Sequence, residues 1–233
     1  MSGVRDRLPA WLRRGRTYAI AGAVLVVLAG AAVYLVGFSS VFAAKKVSVS
    51  GLHTLTRAQI VEAAQVPHDR PLARLDTGSI ADRVGQLPGV ARVDVKRAWP
   101  SGVHIVVTER TAVAFIRVGT AQWLVDAHGV AFQHLLKPIG GLPKITNTVG
   151  DHPDASTKAA LGVAAHLPRW LQAVSLTISA DSPDSVTLTL TGGRTVLWGS
   201  DSDNPDKASA LSALLKQPGS NYDVSSPKVV TVH

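Results

Sequence analysis

The residues best suited to acid–base or metal chemistry are two glutamates, Glu62 and Glu109, and eight histidines. The glutamates lie far apart, and nothing in their spacing promotes a paired-carboxylate site. The histidines are scattered from His53 to His233. None forms H-x-x-x-H or H-E-x-x-H, the helical spacings that bring two imidazoles to one metal. His104 alternates along a strand and His128 falls in a turn, so both read as solvated or rim positions. Cysteine is absent, which removes thiolate nucleophiles, Cys-based zinc sites and disulfides. "DSDNPD" (Asp201–Asp206) has the acidic opening of a calcium loop. It lacks the glycine and the glutamate that such a loop needs at its sixth and twelfth positions. Pro205 suits the first turn of a helix instead. There is no P-loop, nucleophile elbow or S-x-x-K motif. Gly140-Gly141 and Gly192-Gly193 lack a strand–loop–helix setting and read as turns. The expectation is a chain without catalytic residues, metal or cofactor, one that works through its surfaces.

The elements that must carry those surfaces follow from hydropathy and charge. The chain has 233 residues and is 46% hydrophobic, enough for one or two small domains with buried cores. Its net charge of +8 is uneven. Arg5, Arg7, Arg13, Arg14 and Arg16 precede an uncharged run, "YAIAGAVLVVLAGAAVYLVGF" (Tyr18–Phe38). As a helix this run reaches about 31 Å, the thickness of a hydrocarbon core. A cleaved signal peptide is the rival reading, since "VFAA" offers small residues, but the run exceeds the usual signal core. The positive-inside rule places residues 1–17 in the cytoplasm as a tail, residues 18–38 across the membrane, and the remainder outside. Charge concentrated beside an apolar span argues for topology and against nucleic acid.

After the span the pattern reads strand, helix, helix, strand, strand. The first strand is Lys46–Ser50, broken at Gly51. Thr56 and Gln59 have the spacing of a capping box, opening a helix to about Gln65 that buries Ile60, Val61 and Ala64. Pro67 and Pro71 mark the loop that ends it. Ile80, Val84 and Leu87 carry a second helix from about Thr77, stopped by "LPGV". Ala91–Arg97 and Val103–Glu109 alternate as strands about the turn "WPSG" (Trp99–Gly102). The cations Arg92, Lys96 and Arg97 are either a docking face for an acidic partner or lipid headgroups, or an ordinary solvated sheet face.

The order β-α-α-β-β with "LPGVARVDVKRAWPSGVHIVVTER" resembles a POTRA domain. The series Val93, Val95, Arg97, Trp99, Pro100, Val103, Ile105, Val107, Glu109, Arg110 is similar to the form found in the FtsQ/DivIB cell-division family. Trp99-Pro100 and Glu109-Arg110 are read first as scaffold, a packed turn and a pair at a strand end. The resemblance implies an α+β fold with an N-terminal transmembrane helix, a POTRA domain over 45–117, and a mostly antiparallel β domain with flanking helices over 118–233. It further implies a non-catalytic protein of the bacterial division septum. Its partners would be FtsB-type and FtsL-type division proteins and, through them, the septal peptidoglycan synthases.

In the second domain "QWLVDAHGVAF" (Gln122–Phe132) reads as two strands joined at Asp126–Gly129. "LPKITN" (Leu142–Asn147) follows, similar to an "LP-x-I" segment of the same family. Pro153–Pro168 has helical spacing, and Ala173–Ser179, Ser185–Leu190 and Arg194–Trp198 read as strands. A helix with an acidic start holds Leu211, Leu214 and Leu215. The chain closes on "YDVSSPKVVTVH", with an expected strand over about 226–232. An open strand edge is a template for another strand. The family's partner contacts fall in this last part, which by position implies Tyr222, Val224, Ser226, Lys228, Val229, Val230 and Thr231. Pro227 lacks a donor and shortens the usable edge. Two other classes compete: a membrane-anchored cell-wall enzyme, which would need a deep cleft with converging carboxylates or a Ser–Lys pair, and a POTRA-type export or assembly factor, which usually carries several POTRA repeats.

Overall fold

The structure, a computed structural model, describes residues 10–38, 40–68, 70–136, 140–150, 152–227 and 231–232. The chain divides into two units, Met1–Glu109 and Arg110–His233.

The first unit opens with α1 (Ala10–Phe38), which contains the whole uncharged run and also takes in residues 10–17 of the expected tail. Residues 1–9 lie outside the described ones. Large apolar side chains of α1, including Val24, Leu25, Val27 and Leu35, are more than half exposed. Among the described residues, no helix is long and apolar enough to cross a membrane. The expected crossing has only the sequence of the run behind it.

Beyond α1 come β1 (Lys46–Ser50), α2 (Arg57–Ala64), α3 (Thr77–Gly85), β2 (Val90–Ala98) and β3 (Gly102–Glu109). The capping box forms: Thr56 accepts from the Gln59 backbone, and the Gln59 side chain accepts from the Thr56 backbone. Asp76 starts α3 by accepting from Ser79 N at 3.1 Å and from the Ser79 hydroxyl at 2.6 Å. The sheet order is β1-β3-β2, with β1 parallel and β2 antiparallel to β3. Period-2 alternation sends Val103, Ile105 and Val107 inward, where Ile60, Ala64, Ile80 and Val84 of the helices cover them. One face of the sheet is thus packed and the other solvated.

Gly51, just past β1, has φ of +84°, and a Cβ there would overlap the Val107 carbonyl oxygen. Both the backbone conformation and the space demand glycine. Gly51→Ala is expected to destabilise the first unit by about 2 kcal/mol or more. Amide exchange across β3 measures this loss.

The second unit holds β4 (Ala112–Val118), β5 (Ala121–Asp126), β6 (Ala131–Leu135), β7 (Lys144–Ile145), α4 (Ala155–His166), α5 (Arg169–Val174), β8 (Ser175–Ser182), β9 (Ser185–Leu190), β10 (Thr195–Gly199), α6 (Asn204–Leu214), β11 (Asn221–Asp223) and β12 (Thr231–Val232). One nine-stranded sheet runs β12-β11-β10-β9-β8-β7-β4-β5-β6. It is antiparallel except where β7 joins β4 and β8 and where β11 joins β10. Leu161, Val163 and Ala164 of α4 and Leu211 of α6 share a core with Ile178, Leu188, Val196 and Trp198 of the strands.

The expected domain boundary after Arg117 falls differently. β4 pairs with β5 and β7, so residues 112–118 belong to the second sheet, and the division lies between Glu109 and Arg110. The strand expected to begin at Ala173 begins at Ser175, because Ala173 and Val174 close α5.

Candidate functional site

Of the residues singled out for partner contact, Tyr222, Val224, Ser226 and Thr231 are described, at or beside the β11–β12 end of the large sheet. β10 forms a hairpin with β9 through Gly192-Gly193, and its other side receives β11 in parallel, Val196 opposite Tyr222. Thr195 N donates to Ser220 O at 2.8 Å, and Val224 N donates to Leu197 O at 3.0 Å. Past β11, Ser225 N donates to Asp223 Oδ1 at 2.9 Å, an Asx-type turn. β12 then returns antiparallel on β11, Tyr222 opposite Val232 and Asp223 opposite Thr231.

Of the strand expected over 226–232, the described part is β12 at 231–232, while Ser226 and Pro227 lie in a bend and turn after β11. Tyr222 and Val224 are core residues, 2% and 0% exposed. The Tyr222 hydroxyl donates to Gly219 O at 2.9 Å and to Gln217 O at 3.2 Å. Ser226 is exposed, but it lies in the bend before β12. Thr231 lies on β12 and is exposed. Lys228, Val229 and Val230 lie outside the described residues. Among the described residues nothing pairs with the outer side of β12, which is last in the strand order. The sheet's other end is β6, where Gln133 and His134 are exposed.

A buried knot holds this end of the sheet in place. Trp198 on β10 is fully buried and donates its indole N–H to Asn204 Oδ1 at 2.8 Å. The Asn204 amide donates to Asp201 Oδ1 at 2.8 Å. The Lys207 side chain is also buried, and its Nζ donates to Ser200 O at 2.7 Å. Burial pushes the Lys207 ammonium below its ordinary value, against the opposing pull of Asp203 and Asp201. In the "DSDNPD" stretch Asn204 and Asp201 bond each other at the start of α6, Pro205 takes the first turn, and Asp203 makes no side-chain cap. Gly162 permits the approach of α4, since a Cβ there would overlap the Asp201 carboxylate. Sequence spacing did not bring out Trp198, Asn204 and Lys207 as a group. The available signal was a lone tryptophan on an alternating strand, six residues before an asparagine.

Most of the other sequence candidates make bonds within their own unit. Among the described residues, no group of three His, Asp or Glu side chains could hold a metal. His104 bonds Ser48 through Nδ1 at 2.8 Å and Ser50 through Nε2 at 3.2 Å. In the basic cluster, Lys96 pairs with Asp94 at 2.9 Å. Arg97 donates to Leu72 O and Leu75 O, both at 2.7 Å, tying β2 to the 3-10 turn Leu72–Arg74. Glu109 and Arg110 straddle the division between units. Arg110 pairs with the buried Asp126, whose Oδ1 accepts from His128 N and Val130 N in the β5–β6 turn. Glu109 accepts from the backbone N–H groups of His53, Thr54 and Leu55 at 2.8–3.1 Å.

Partial burial pushes the Glu109 carboxyl up, but these three donors outweigh it and bring it from 4.5 down to about 2. A carboxyl depressed on folding contributes stability that is complete above its unfolded value near 4.5 and is lost as pH falls through about 2. Glu109→Gln is expected to cost about 1–2 kcal/mol at pH 7, with solvent screening included. It should also flatten the fall in melting temperature between pH 4.5 and 2. Thermal melts at several pH values check both.

Comparison with known proteins covers nearly the whole chain. The family described as POTRA domain, FtsQ-type, matches residues 42–110. The family described as Cell division protein FtsQ/DivIB, C-terminal, matches residues 114–230. A Streptomyces collinus protein named Cell division protein FtsQ is 37% identical over 229 residues, covering 92% of this chain and 87% of its own length. The protein of that name from Streptomyces bingchenggensis is 34% identical over 238 residues, with 98% and 88% covered. The one from Mycolicibacterium smegmatis is 38% identical over 219 residues, covering 94% of this chain. Here the chain spans 66% of its relative, just under two thirds.

Proposed function

The chain belongs to the FtsQ/DivIB family of cell-division proteins, and on that footing we propose that it is a non-catalytic, single-pass membrane scaffold of the bacterial divisome. The N-terminus is cytoplasmic, the run 18–38 crosses the membrane, and the chain after Phe38 lies outside it. Supporting the crossing are the five arginines before the run and the apolar side chains that α1 leaves exposed. The run carries no charged residue, and an uncharged apolar run of that length favours an apolar surround.

The scaffold recruits FtsB-type and FtsL-type partners by β-augmentation and through them links to the septal peptidoglycan synthases. The observation that carries this reading is the strand order, in which β12 is outermost with its far side unpaired among the described residues. A partner strand laid along 226–232 would meet the backbone groups of alternate residues among Lys228, Val229, Val230 and Thr231. Tyr222 and Val224 would act from below, holding β11 and hence the edge in place. Roughly five backbone hydrogen bonds at about 1 kcal/mol each give about 5 kcal/mol. Association costs at least about 4 kcal/mol. Side-chain burial must supply the remaining affinity, and anchoring both partners in one membrane raises their effective concentration.

The reading is tested in dividing cells. A fluorescent fusion of the full chain is expected to gather at mid-cell and to co-purify FtsB-type and FtsL-type proteins. Uniform distribution over the envelope during septation would refute the proposal.

A further inference from the structure

We propose that the end of the first unit adjoining α1 docks on an anionic phospholipid surface, with Trp99 and Phe42 as the inserted aromatic pair and Lys45, Lys46 and Arg70 as the cationic rim. This rests on the membrane-anchored reading above. Three segments are fastened together at that end. Ala43 forms a strand bridge with Pro71, and Ala44 N donates to Arg70 O at 3.3 Å. Lys45 N and Lys46 N both donate to Ser101 O, at 2.8 and 3.2 Å. The exit from α1, the loop at 70–74 and the turn 99–102 therefore move as one body. In the sheet register Lys46 lies opposite Gly102, whereas Glu109 and the 53–55 turn mark the far end of β3.

The chain constrains how far this body sits from the membrane. α1 ends at Phe38, and Ala43 and Ala44 are already buried, 3% and 0% exposed. Four residues reach at most about 14 Å, so Phe42 lies within that distance of the helix end. The Trp99 ring meets Phe42 edge-on, with centroids 5.9 Å apart and planes at 66°. Trp99 nevertheless stays 52% exposed and Val41 62% exposed. A half-exposed tryptophan beside an aromatic partner is the amphipathic body that settles at the headgroup level.

The charges fit the same surface. Lys45, Lys46 and Arg70 are exposed, and their backbones bond the segments that flank this aromatic pair. The carboxylates of Asp76 and Asp94 are taken up by Ser79 and Lys96. Lysines and arginines held within a Debye length of an anionic leaflet are attracted to it. Lipid fits better than an acidic protein, because the patch lies at the one end of the unit that the chain holds beside α1.

The test uses the full-length chain reconstituted in vesicles of phosphatidylcholine, alone or with about 30% phosphatidylglycerol. The Trp99 signal is the difference in emission between the chain and Trp99→Phe, which keeps an aromatic ring at the turn. Bromine carried on shallow acyl positions is expected to quench this signal about twofold more in the anionic vesicles. Lys45→Gln with Lys46→Gln and Arg70→Gln should return it to the phosphatidylcholine level, as should about 0.5 M salt. Equal quenching in both vesicles, unchanged in the triple variant, overturns the proposal. So does a Trp99 that stays open to iodide in lipid and becomes shielded only in native membranes, a result that assigns the patch to a protein partner. Washing the same vesicles with alkaline carbonate separates the two readings. A retained chain with unquenched Trp99 sinks the lipid contact alone, and a chain washed away sinks the anchor and the contact together.

Discussion

With proline at both positions 228 and 230, the full-length chain is expected to bind an FtsB-type segment at least about thirtyfold more weakly, with its melting temperature unchanged. Each proline removes one backbone donor and fixes φ near −65°, so two strand-pairing bonds are lost. At about 1 kcal/mol each, that is about 2 kcal/mol, or roughly thirtyfold in dissociation constant. The fold itself should tolerate the change. The residues that build the core at this end, Tyr222, Val224, Trp198 and Leu211, all come earlier in the chain. A second variant, Lys228→Ala with Val230→Ala, keeps both donors and removes only side chains. It should lose distinctly less affinity than the proline pair. Equal losses for the two pairs would show that side chains, and not the strand backbone, carry the contact. Titration calorimetry on both pairs decides between these.

Trp198→Ala is expected to have the largest effect on stability. The side chain is fully buried among Val196, Leu211 and the strands of the large sheet. Truncating such a residue costs about 3–5 kcal/mol in transfer and cavity terms. The loss also strands Asn204 Oδ1, which accepts from the indole at 2.8 Å, and a buried acceptor without its donor adds to the cost. For a domain of this size the melting temperature should fall by about 10–20 °C. Trp198→Phe refills most of the volume but supplies no donor, and should cost about 1–2 kcal/mol. Differential scanning calorimetry of the two variants separates packing from the hydrogen bond. Partner binding should fail in Trp198→Ala as well, because β10 carries β11 and β11 carries β12.

The first unit was legible because its signals are local. The capping box at Thr56 and Gln59, the alternation of Val103, Ile105 and Val107, and the turn at Trp99–Gly102 each fix their own few residues. Strand and helix bounds there follow the sequence pattern to within a residue or two. The second unit was legible in its hairpins, where Asp126–Gly129 and Gly192-Gly193 give turn chemistry, and in α4, which Asp154 caps through Thr157 N. Elsewhere the deciding contacts are distant. No glycine or proline separates β3 from β4, so the run "TERTAVAFIRV" carries no mark that its second half leaves for another sheet. β7 is a two-residue strand held between β4 and β8, too short for any period to register. At the C-terminus, apolar alternation could not show that Tyr222 and Val224 face the core and that the chain turns at Ser225 before β12. The Asp223 side chain closes a local turn there by accepting from Ser225 N, and β10 holds Val224 alongside.

The family resemblance, and no motif of the chain itself, put the proposed site in the last dozen residues, and the side chains described there divide between core and edge. The sheet has a second end at β6, with Gln133 and His134 exposed, which no sequence motif announced. Two ends make the central claim directly testable. A photo-crosslinking amino acid placed singly at Lys228, Thr231, Gln133 or His134 of the full-length chain, followed by irradiation in dividing cells, reports which end meets a partner. The expected result is a crosslink to an FtsB-type protein from positions 228 and 231, with none from 133 and 134. Crosslinks to that protein from the β6 positions alone would contradict the assignment of the edge.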